Sequence, residues 1–191
     1  MNDYIKMLSE QDKLSISISP NRWQFEENPY IISGPCSVES EEMIVDWAQK
    51  MKRIGVNALR GGAYKPCTYP ITKEVGGNGW KEGLREDGLR FLKTAREETG
   101  LPIVSEIMDA YQITGSTMDC IDIVQVGTRN FQNYTLLDAL GELDVPILLK
   151  RGTWGTIDEI LGAVERILVG GNEKVAICLR GVVGMPSYRH V

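Results

Sequence analysis

The chain has 191 residues, of which 42% are hydrophobic and 25% are charged, as in most soluble globular proteins. Its net charge of −5 argues against nucleic-acid binding, because a nucleic-acid interface would be basic. No apolar run reaches the roughly 18 residues that cross a bilayer, and the N-terminus lacks the apolar segment of a signal peptide. We therefore expect a cytoplasmic protein without a membrane partner.

Residues 1–28 are predicted to be an N-terminal extension, in which the alternation of apolar and polar residues over 14–19 favours a short strand or hairpin. Residues 29–191 are predicted to be one catalytic domain. The four cysteines show no CxxC spacing and are expected to be thiols in a reducing compartment. Of these, Cys120 and Cys178 are expected in the core. The only histidine, His190, is expected in a disordered tail.

From residue 30 onward, short apolar runs alternate with amphipathic stretches, which is typical of a parallel sheet covered by helices. One predicted helix begins after Ser40 and places Trp47 and Ile54 on its buried face. Another begins at the capping box formed by Thr156 and Glu159. Strands are predicted at residues 30–33, 56–59, 102–107, 121–126, 145–149 and 174–179.

The absence of a GxGxxG or GxxxxGK[ST] motif disfavours a nucleotide-binding open sheet, so an α/β protein with a (β/α)8 TIM barrel is preferred. A complete barrel typically needs about 250 residues, whereas six strands are predicted here. We therefore expect a fragment that is truncated after strand six. Two alternatives stay open: another chain supplies the missing strands, or the sheet is open.

Basic residues recur where the predicted strands end, namely Arg60, Lys65, Arg129, Lys150, Arg151 and Arg180. The carboxyl ends of parallel strands meet on one face of such folds, where the chemistry is placed. Because like charges repel, a pocket of this kind needs an anion to fill it. The pattern predicts a small substrate with several negative charges, such as phosphate plus carboxylate.

Five segments carry a resemblance to a known family. They are 32–40 (ISGPCSVES), 59–66 (LRGGAYKP), 125–130 (QVGTRN), 149–152 (LKRG) and 178–181 (CLRG). In this order and spacing they resemble 3-deoxy-D-arabino-heptulosonate 7-phosphate (DAHP) synthase of type I, which is related to 3-deoxy-D-manno-octulosonate (KDO) 8-phosphate synthase.

The resemblance implies a barrel enzyme that condenses phosphoenolpyruvate with erythrose 4-phosphate to DAHP and phosphate. This reaction opens the shikimate pathway of aromatic amino acid biosynthesis. The resemblance also implies a divalent metal (Mn²⁺, Fe²⁺, Zn²⁺ or Co²⁺) and a homo-oligomer in the complete form.

The family's site residues map onto this sequence one by one. By resemblance, Arg60, Lys65 and Lys150 hold the carboxylate and the reacting region of phosphoenolpyruvate, with the two lysines in the catalytic positions. Arg129 and Arg180 match the residues that grip its phosphate, which suits bidentate guanidinium groups. The remaining matches are Cys36 as a metal ligand, Glu106 as a residue lining the pocket, and Thr68 as a further substrate-binding residue.

Two departures from the family pattern bear on function. Cys67 stands where the family has the arginine that contacts the aldose phosphate, and Arg151 is a candidate to replace that contact. The family's other metal ligands (His, Glu and Asp) would lie beyond Val191, so the metal site is predicted to be incomplete and the 191-residue chain inactive by itself. The alternatives are a KDO 8-phosphate synthase-like enzyme, or a non-catalytic barrel that binds a phosphate ligand or a partner chain.

Overall fold

The computed structural model describes residues 29–66 and 83–181 in full, together with the backbone of two short strands near the N-terminus. These strands, β1 (Ser15–Ser17) and β2 (Arg22–Gln24), pair antiparallel as a hairpin. The division at residue 28 stays a prediction. Cys67, Thr68 and His190 lie outside the described residues. Within the described part of the chain, no helix is long and apolar enough to cross a membrane.

Six further strands form one parallel sheet in which every strand pairs with the next strand of the sequence. A doubly wound sheet would reverse its strand order at a switch point, and this sheet does not. Its sequential order is that of a (β/α) barrel. The strands are β3 (Ile32–Ser33), β4 (Ala58–Arg60), β5 (Ile103–Ile107), β6 (Ile123–Val126), β7 (Ile147–Lys150) and β8 (Val175–Cys178).

Helices connect these strands, as the sequence predicts. They are α1 (Glu41–Arg53), α2 (Arg85–Thr99), α3 (Gly115–Met118), α4 (Tyr134–Gly141) and α5 (Ile157–Val169). The capping box predicted at the start of α5 is present, since Thr156 Oγ1 accepts from the Glu159 amide and Glu159 Oε2 accepts from the Thr156 amide. A 3₁₀ turn, Thr128–Asn130, follows β6.

Helix α1 begins as predicted, with the Ser40 hydroxyl accepting a hydrogen bond from the Met43 amide. The prediction that Trp47 and Ile54 lie on its buried face is wrong, because they are 39% and 71% exposed. Ile54 is already the C-cap, and the Trp47 ring lies beside the Lys50 ammonium instead of against the sheet. The buried stripe is narrower and consists of Ile44, Ala48 and Met51.

The sheet separates two cores because side chains alternate between its faces. The outer face packs against the helices in one large cluster that includes Leu59, Ile103, Val124 and Ile147. The inner face carries a smaller apolar cluster of Ala58, Val104, Ile123 and Ala176, against which Tyr30, Ile32 and Leu148 pack. This smaller cluster is called the inner floor below.

Two residues beyond the inner floor, the same strands present polar side chains. Because the period of a strand is two, these residues share the inner face and lie nearer the carboxyl ends of the strands. The pairs are Ala58 and Arg60, Val104 and Glu106, Ile123 and Gln125, Leu148 and Lys150, and Ala176 and Cys178. The fold therefore brings a polar layer together directly above an apolar floor.

Gly34 allows the loop after β3 to lie against the end of β4. Its φ is +153°, and a Cβ at this position would lie 2.0 Å from the Arg60 carbonyl oxygen. Any side chain here would push the loop that carries Cys36 away from Arg60. The glycine of the GPC segment is thus required by a close approach of two backbones.

We expect Gly34→Ala to lower the free energy of unfolding by about 1–3 kcal/mol, through backbone strain and overpacking. The matched control is Gly162→Ala in the exposed middle of α5, where a Cβ would meet nothing within 4 Å. That change should raise the free energy of unfolding by about 0.5–1 kcal/mol, since alanine is the better helix former. Urea denaturation measures both values. Equal midpoints for the two variants would contradict the close approach at Gly34.

Candidate functional site

A cavity of about 520 Å³ opens on the inner face of the sheet, at the carboxyl ends of the strands. Its lower wall belongs to the inner floor, and its upper wall carries Arg60, Gln125, Lys150 and Cys178. The predicted convergence of basic residues from different strands is therefore present for Arg60 and Lys150, which share this cavity.

Cys36, Arg60 and Lys65 meet at one edge of the cavity. The Arg60 guanidinium donates hydrogen bonds to the carbonyl oxygens of Pro35 and Cys36, both at 3.1 Å. The pKa of the Cys36 thiol is lowered, chiefly by a hydrogen bond from Lys65, with Arg60 acting in the same direction and partial burial opposing both. The two cations thus favour a thiolate at Cys36.

Lys150 lies half-buried among other charged groups. Its pKa is lowered, first by burial and then by the charges of Arg60 and Arg180, while Glu106 and Cys178 oppose the shift. Burial and like charges both disfavour the ammonium form. Burial is the largest cause of the shift, and the charges of Arg60 and Arg180 add to it.

Glu106 is buried on the inner face and fixed in orientation. Its Oε2 accepts a hydrogen bond of 2.9 Å from the Gln125 side chain. A Cβ at Gly127 would lie 1.9 Å from Glu106 Oε1, so the carboxylate fills the space that this glycine leaves. Gln125 is not among the predicted site residues, although its place two residues after Ile123 is a signal that it faces inward.

Arg129 and Arg180, the residues predicted to grip phosphate, belong to neighbouring loops. The Arg180 guanidinium donates a hydrogen bond of 2.7 Å to the hydroxyl of Thr128, the residue next to Arg129 in the 3₁₀ turn after β6. Both arginine side chains are exposed. Thr128 is a second residue that sequence reasoning missed.

Arg151 differs from the other basic residues because it is buried, with 5% of its surface exposed. It does not line the cavity. Its guanidinium donates to the carbonyl oxygens of Gly152 at 3.2 Å and Gly155 at 2.6 Å, and also to those of Arg180 and Gly181. Its predicted contact with substrate stays a prediction, and the described contacts are all with the main chain.

The prediction that Cys178 belongs to the core is wrong, because it is half-exposed and lines the cavity. Strand alternation puts it on the inner face two residues after Ala176, and the register pairs it with Lys150. Cys120, in contrast, is buried as predicted, with 7% of its surface exposed.

The described residues do not by themselves form a divalent metal site. Among residues 29–66 and 83–181, no three His, Cys, Asp or Glu side chains cluster as metal ligands. A site of this kind usually needs three or more protein ligands, and the neighbours that perturb Cys36 are two cations. Its role as a ligand stays a prediction.

The environment of Cys36 predicts an unusual pH dependence of its reactivity. Because Lys65 and Arg60 lower the pKa of this thiol, its alkylation rate should reach half of its maximum at a lower pH than that of an ordinary cysteine. Lys65→Met should move this midpoint to higher pH, since it removes the largest cause of the shift. Iodoacetamide labelling across a pH series, read peptide by peptide by mass spectrometry, measures the midpoint.

Cys120 serves as the internal control in the same samples, because burial raises the pKa of its thiol. Its midpoint should stay unchanged in Lys65→Met. A Cys36 midpoint that also does not move would contradict the contact with Lys65.

Comparison with known proteins agrees with the motifs. The model of the DAHP synthetase I family matches residues 18–190. The phospho-2-dehydro-3-deoxyheptonate aldolase of Thermotoga maritima is 41% identical over 152 residues, which cover 80% of this chain and 42% of that protein. The 2-dehydro-3-deoxyphosphooctonate aldolase of Syntrophotalea carbinolica is 27% identical over 151 residues, which cover 79% of this chain and 54% of that protein.

Solved structures show the same fold. The crystal structure of the DAHP synthase of Thermotoga maritima superposes with a TM-score of 0.77 at 35% identity, covering 90% of this chain and 47% of that one. A truncated form of the Thermotoga maritima synthase gives a TM-score of 0.76 at 33% identity, covering 93% of this chain and 60% of that one. These matches confirm the predicted barrel fold.

The chain spans about half the length of the curated relatives that it matches. Within that span, the family model covers nearly all of the sequence, and the five motifs lie at the strand ends that form the cavity. The predicted family is confirmed: the chain belongs to the DAHP synthetase I family.

Proposed function

We propose that this chain forms part of a DAHP synthase, which condenses phosphoenolpyruvate with erythrose 4-phosphate to give DAHP and phosphate at the start of the shikimate pathway. The observation that carries this proposal is that Arg60 and Lys150 share one cavity at the carboxyl ends of β4 and β7, with Lys65 and Arg180 near enough to affect the charged groups there. Membership in the DAHP synthetase I family supports it.

Phosphoenolpyruvate matches the charge of this site. It carries a phosphate and a carboxylate, and its anionic groups would offset the repulsion by Arg60 and Arg180 that adds to burial in lowering the pKa of Lys150. Arg129 and Arg180 are proposed to grip the phosphate, because planar guanidinium groups bind it in a bidentate manner. Arg60 and Lys65 are proposed to hold the carboxylate.

The reaction forms a bond between C3 of phosphoenolpyruvate and the aldehyde carbon of the aldose phosphate. Water then adds at C2, and inorganic phosphate leaves. The cations of this chain contribute by orienting the anion for attack and by neutralising negative charge as it moves. Lys150 is proposed as the proton-transferring group, since its lowered pKa brings it closer to the range in which a lysine can exchange a proton.

Cys36 is proposed as one ligand of the divalent metal that the family resemblance implies. Among the described residues, Cys36 does not belong to a group of three or more His, Cys, Asp or Glu side chains that could hold the ion. The binding and orientation of phosphoenolpyruvate are proposed to rest on the cations, while Gln125 keeps the Glu106 carboxylate in place on the same inner face.

Two observations favour erythrose 4-phosphate as the aldose substrate. The heptonate aldolase relative is 41% identical to this chain, whereas the octonate aldolases are 22–27% identical. The Lys65-Pro66 dipeptide points the same way, while Cys67 replaces the family's arginine. An octulosonate-type synthase is the second candidate, and a non-catalytic barrel that binds a phosphate ligand or a partner chain is the third.

Removal of either phosphate-binding arginine should weaken substrate binding. We expect Arg129→Ala and Arg180→Ala each to reduce the affinity for phosphoenolpyruvate by about 1.5–3 kcal/mol, the range for hydrogen bonds to charged groups. Calorimetric titration in phosphate-free buffer measures the affinity. The control is Arg90→Ala on the surface of α2, where the arginine pairs with the exposed Asp87 and lies beside the Phe91 ring.

A second measurement tests catalysis, by assaying product formation with protein expressed from its intact gene. With Mn²⁺, phosphoenolpyruvate and erythrose 4-phosphate, we expect DAHP and inorganic phosphate as products. Binding without product would favour the non-catalytic alternative. Unchanged affinity in both arginine variants would overturn the proposed phosphate grip.

Because Cys67 replaces the family's arginine, we expect weak binding of the aldose phosphate. In the same protein, Cys67→Arg should lower the KM for erythrose 4-phosphate about tenfold or more, because it adds a charged hydrogen bond to the phosphate. The KM for phosphoenolpyruvate should hardly change. Steady-state kinetics with each substrate varied in turn measures both constants, and Cys67→Ala shows whether loss of the thiol alone has an effect. A KM for the aldose that rises or stays constant would mean that another residue already holds this phosphate.

A further inference from the structure

Arg151 is a buried cation whose described partners are all main-chain oxygens. Within the described part of the chain it forms no ion pair with a carboxylate. Its two terminal nitrogens instead donate to four carbonyl groups, those of Gly152, Gly155, Arg180 and Gly181. A buried charge is costly unless polar groups compensate it. The segments to which these carbonyl groups belong therefore show which parts of the main chain Arg151 holds together.

The first pair of carbonyl groups belongs to the turn that follows β7. This turn is closed by a 2.9 Å hydrogen bond from the Gly155 amide to the Gly152 carbonyl oxygen. It carries Trp154, whose ring centroid lies 6.0 Å from that of the buried Phe131. A Cβ at Gly152 or Gly155 would lie 2.5 Å from the Phe131 ring. The turn is therefore packed tightly against the segment that follows the Thr128–Asn130 turn.

The second pair of carbonyl groups belongs to the chain beyond the end of β8. Arg180 lies two residues after the last residue of that strand, and Arg151 Nη2 donates to its carbonyl oxygen. The Arg180 side chain is held separately, through its hydrogen bond to Thr128 Oγ1. Arg180 is thus fixed at its main chain by Arg151 and at its guanidinium by Thr128.

We propose that Arg151 is a positioning residue, which sets the main chain of Arg180 relative to the loop of Arg129 so that both guanidinium groups face one phosphate. The inference rests on the proposed function and assigns Arg151 a role other than direct contact with the aldose phosphate. Lysine cannot reproduce this role, because its ammonium is a single donor centre and cannot span carbonyl groups on two loops.

The test is a double-mutant cycle that combines Arg151→Lys with Arg180→Ala, with phosphoenolpyruvate affinity measured by calorimetry. In the otherwise unchanged protein, Arg151→Lys should weaken binding about tenfold, a part of the loss expected when a charged hydrogen bond is removed. In the Arg180→Ala background the same change should have less than about a twofold effect, because the residue that it positions is gone. Arg90→Lys is the matched control and should leave the affinity unchanged.

Hydrogen exchange without ligand gives a second readout. Arg151→Lys should speed exchange in peptides covering residues 152–155 and 178–181 and leave peptides from α4 unchanged. Thr128→Val, which releases only the Arg180 guanidinium, should weaken phosphoenolpyruvate binding without this change in exchange. Arg151→Gln is the second variant at this position, and failure of both Arg151 variants to fold would show a general stabilising role and overturn the proposal.

The possible outcomes distinguish failure of the proposed function from failure of the positioning role of Arg151. If the unchanged protein does not bind phosphoenolpyruvate, the proposed function fails and the positioning role fails with it. If it binds, and Arg151→Lys causes the same loss in both backgrounds or no loss in either, only the positioning role is overturned.

Discussion

Repulsion among the cations at the carboxyl ends of the strands is the interaction on which the other properties of the site depend. Parallel strands with a period of two bring Arg60 and Lys150 to one face, above an inner floor that cannot solvate charge. The pKa of Lys150 is lowered, chiefly by burial, and the charges of Arg60 and Arg180 lower it further. An anion that enters the cavity removes this repulsion, so the electrostatic cost of the empty site favours the bound state.

Arg60 and Arg151 donate hydrogen bonds to main-chain oxygens and form no ion pair with a carboxylate among the described residues, while Arg151 Nε has no hydrogen-bond partner there. The Arg60 guanidinium donates to the carbonyl oxygens of Pro35 and Cys36, and that of Arg151 donates to four carbonyl groups. Carbonyl oxygens accept hydrogen bonds but carry no net charge, so the charge that Arg60 brings to the cavity is not cancelled. Glu106 is the exception, and Gln125 holds its carboxylate in a fixed direction. A carboxylate beside every arginine would have made the site more stable and less able to attract an anion.

Local sequence pattern is sufficient to predict the strands, the helices and the place where the cations gather. Apolar runs and caps locate the elements, and the rule that chemistry gathers at strand ends predicts the convergence of Arg60 and Lys150. Local pattern is not sufficient where the orientation of a side chain depends on neighbouring strands. The core assignment of Cys178 is wrong and Gln125 is overlooked, because a shift of one residue in register would turn each to the other face. The contacts of Arg151 depend on loops after two different strands, which no local pattern reveals.

The charged residues of the site differ in their exposure to solvent. Arg129 and Arg180 are exposed on the loops after β6 and β8, whereas Lys150 is half-buried and Glu106 is buried. In the proposed complex, the phosphate of phosphoenolpyruvate would therefore bind at these exposed arginines, and the end that forms the new bond would lie farther inward, beside Lys150. Exclusion of water matters most at that inner end, because electrostatic interactions are strongest where the effective dielectric constant is low. In the proposed complex, the apolar floor and the exposed arginines would together hold the reacting carbon beside Lys150, where a charged neighbour has the greatest effect.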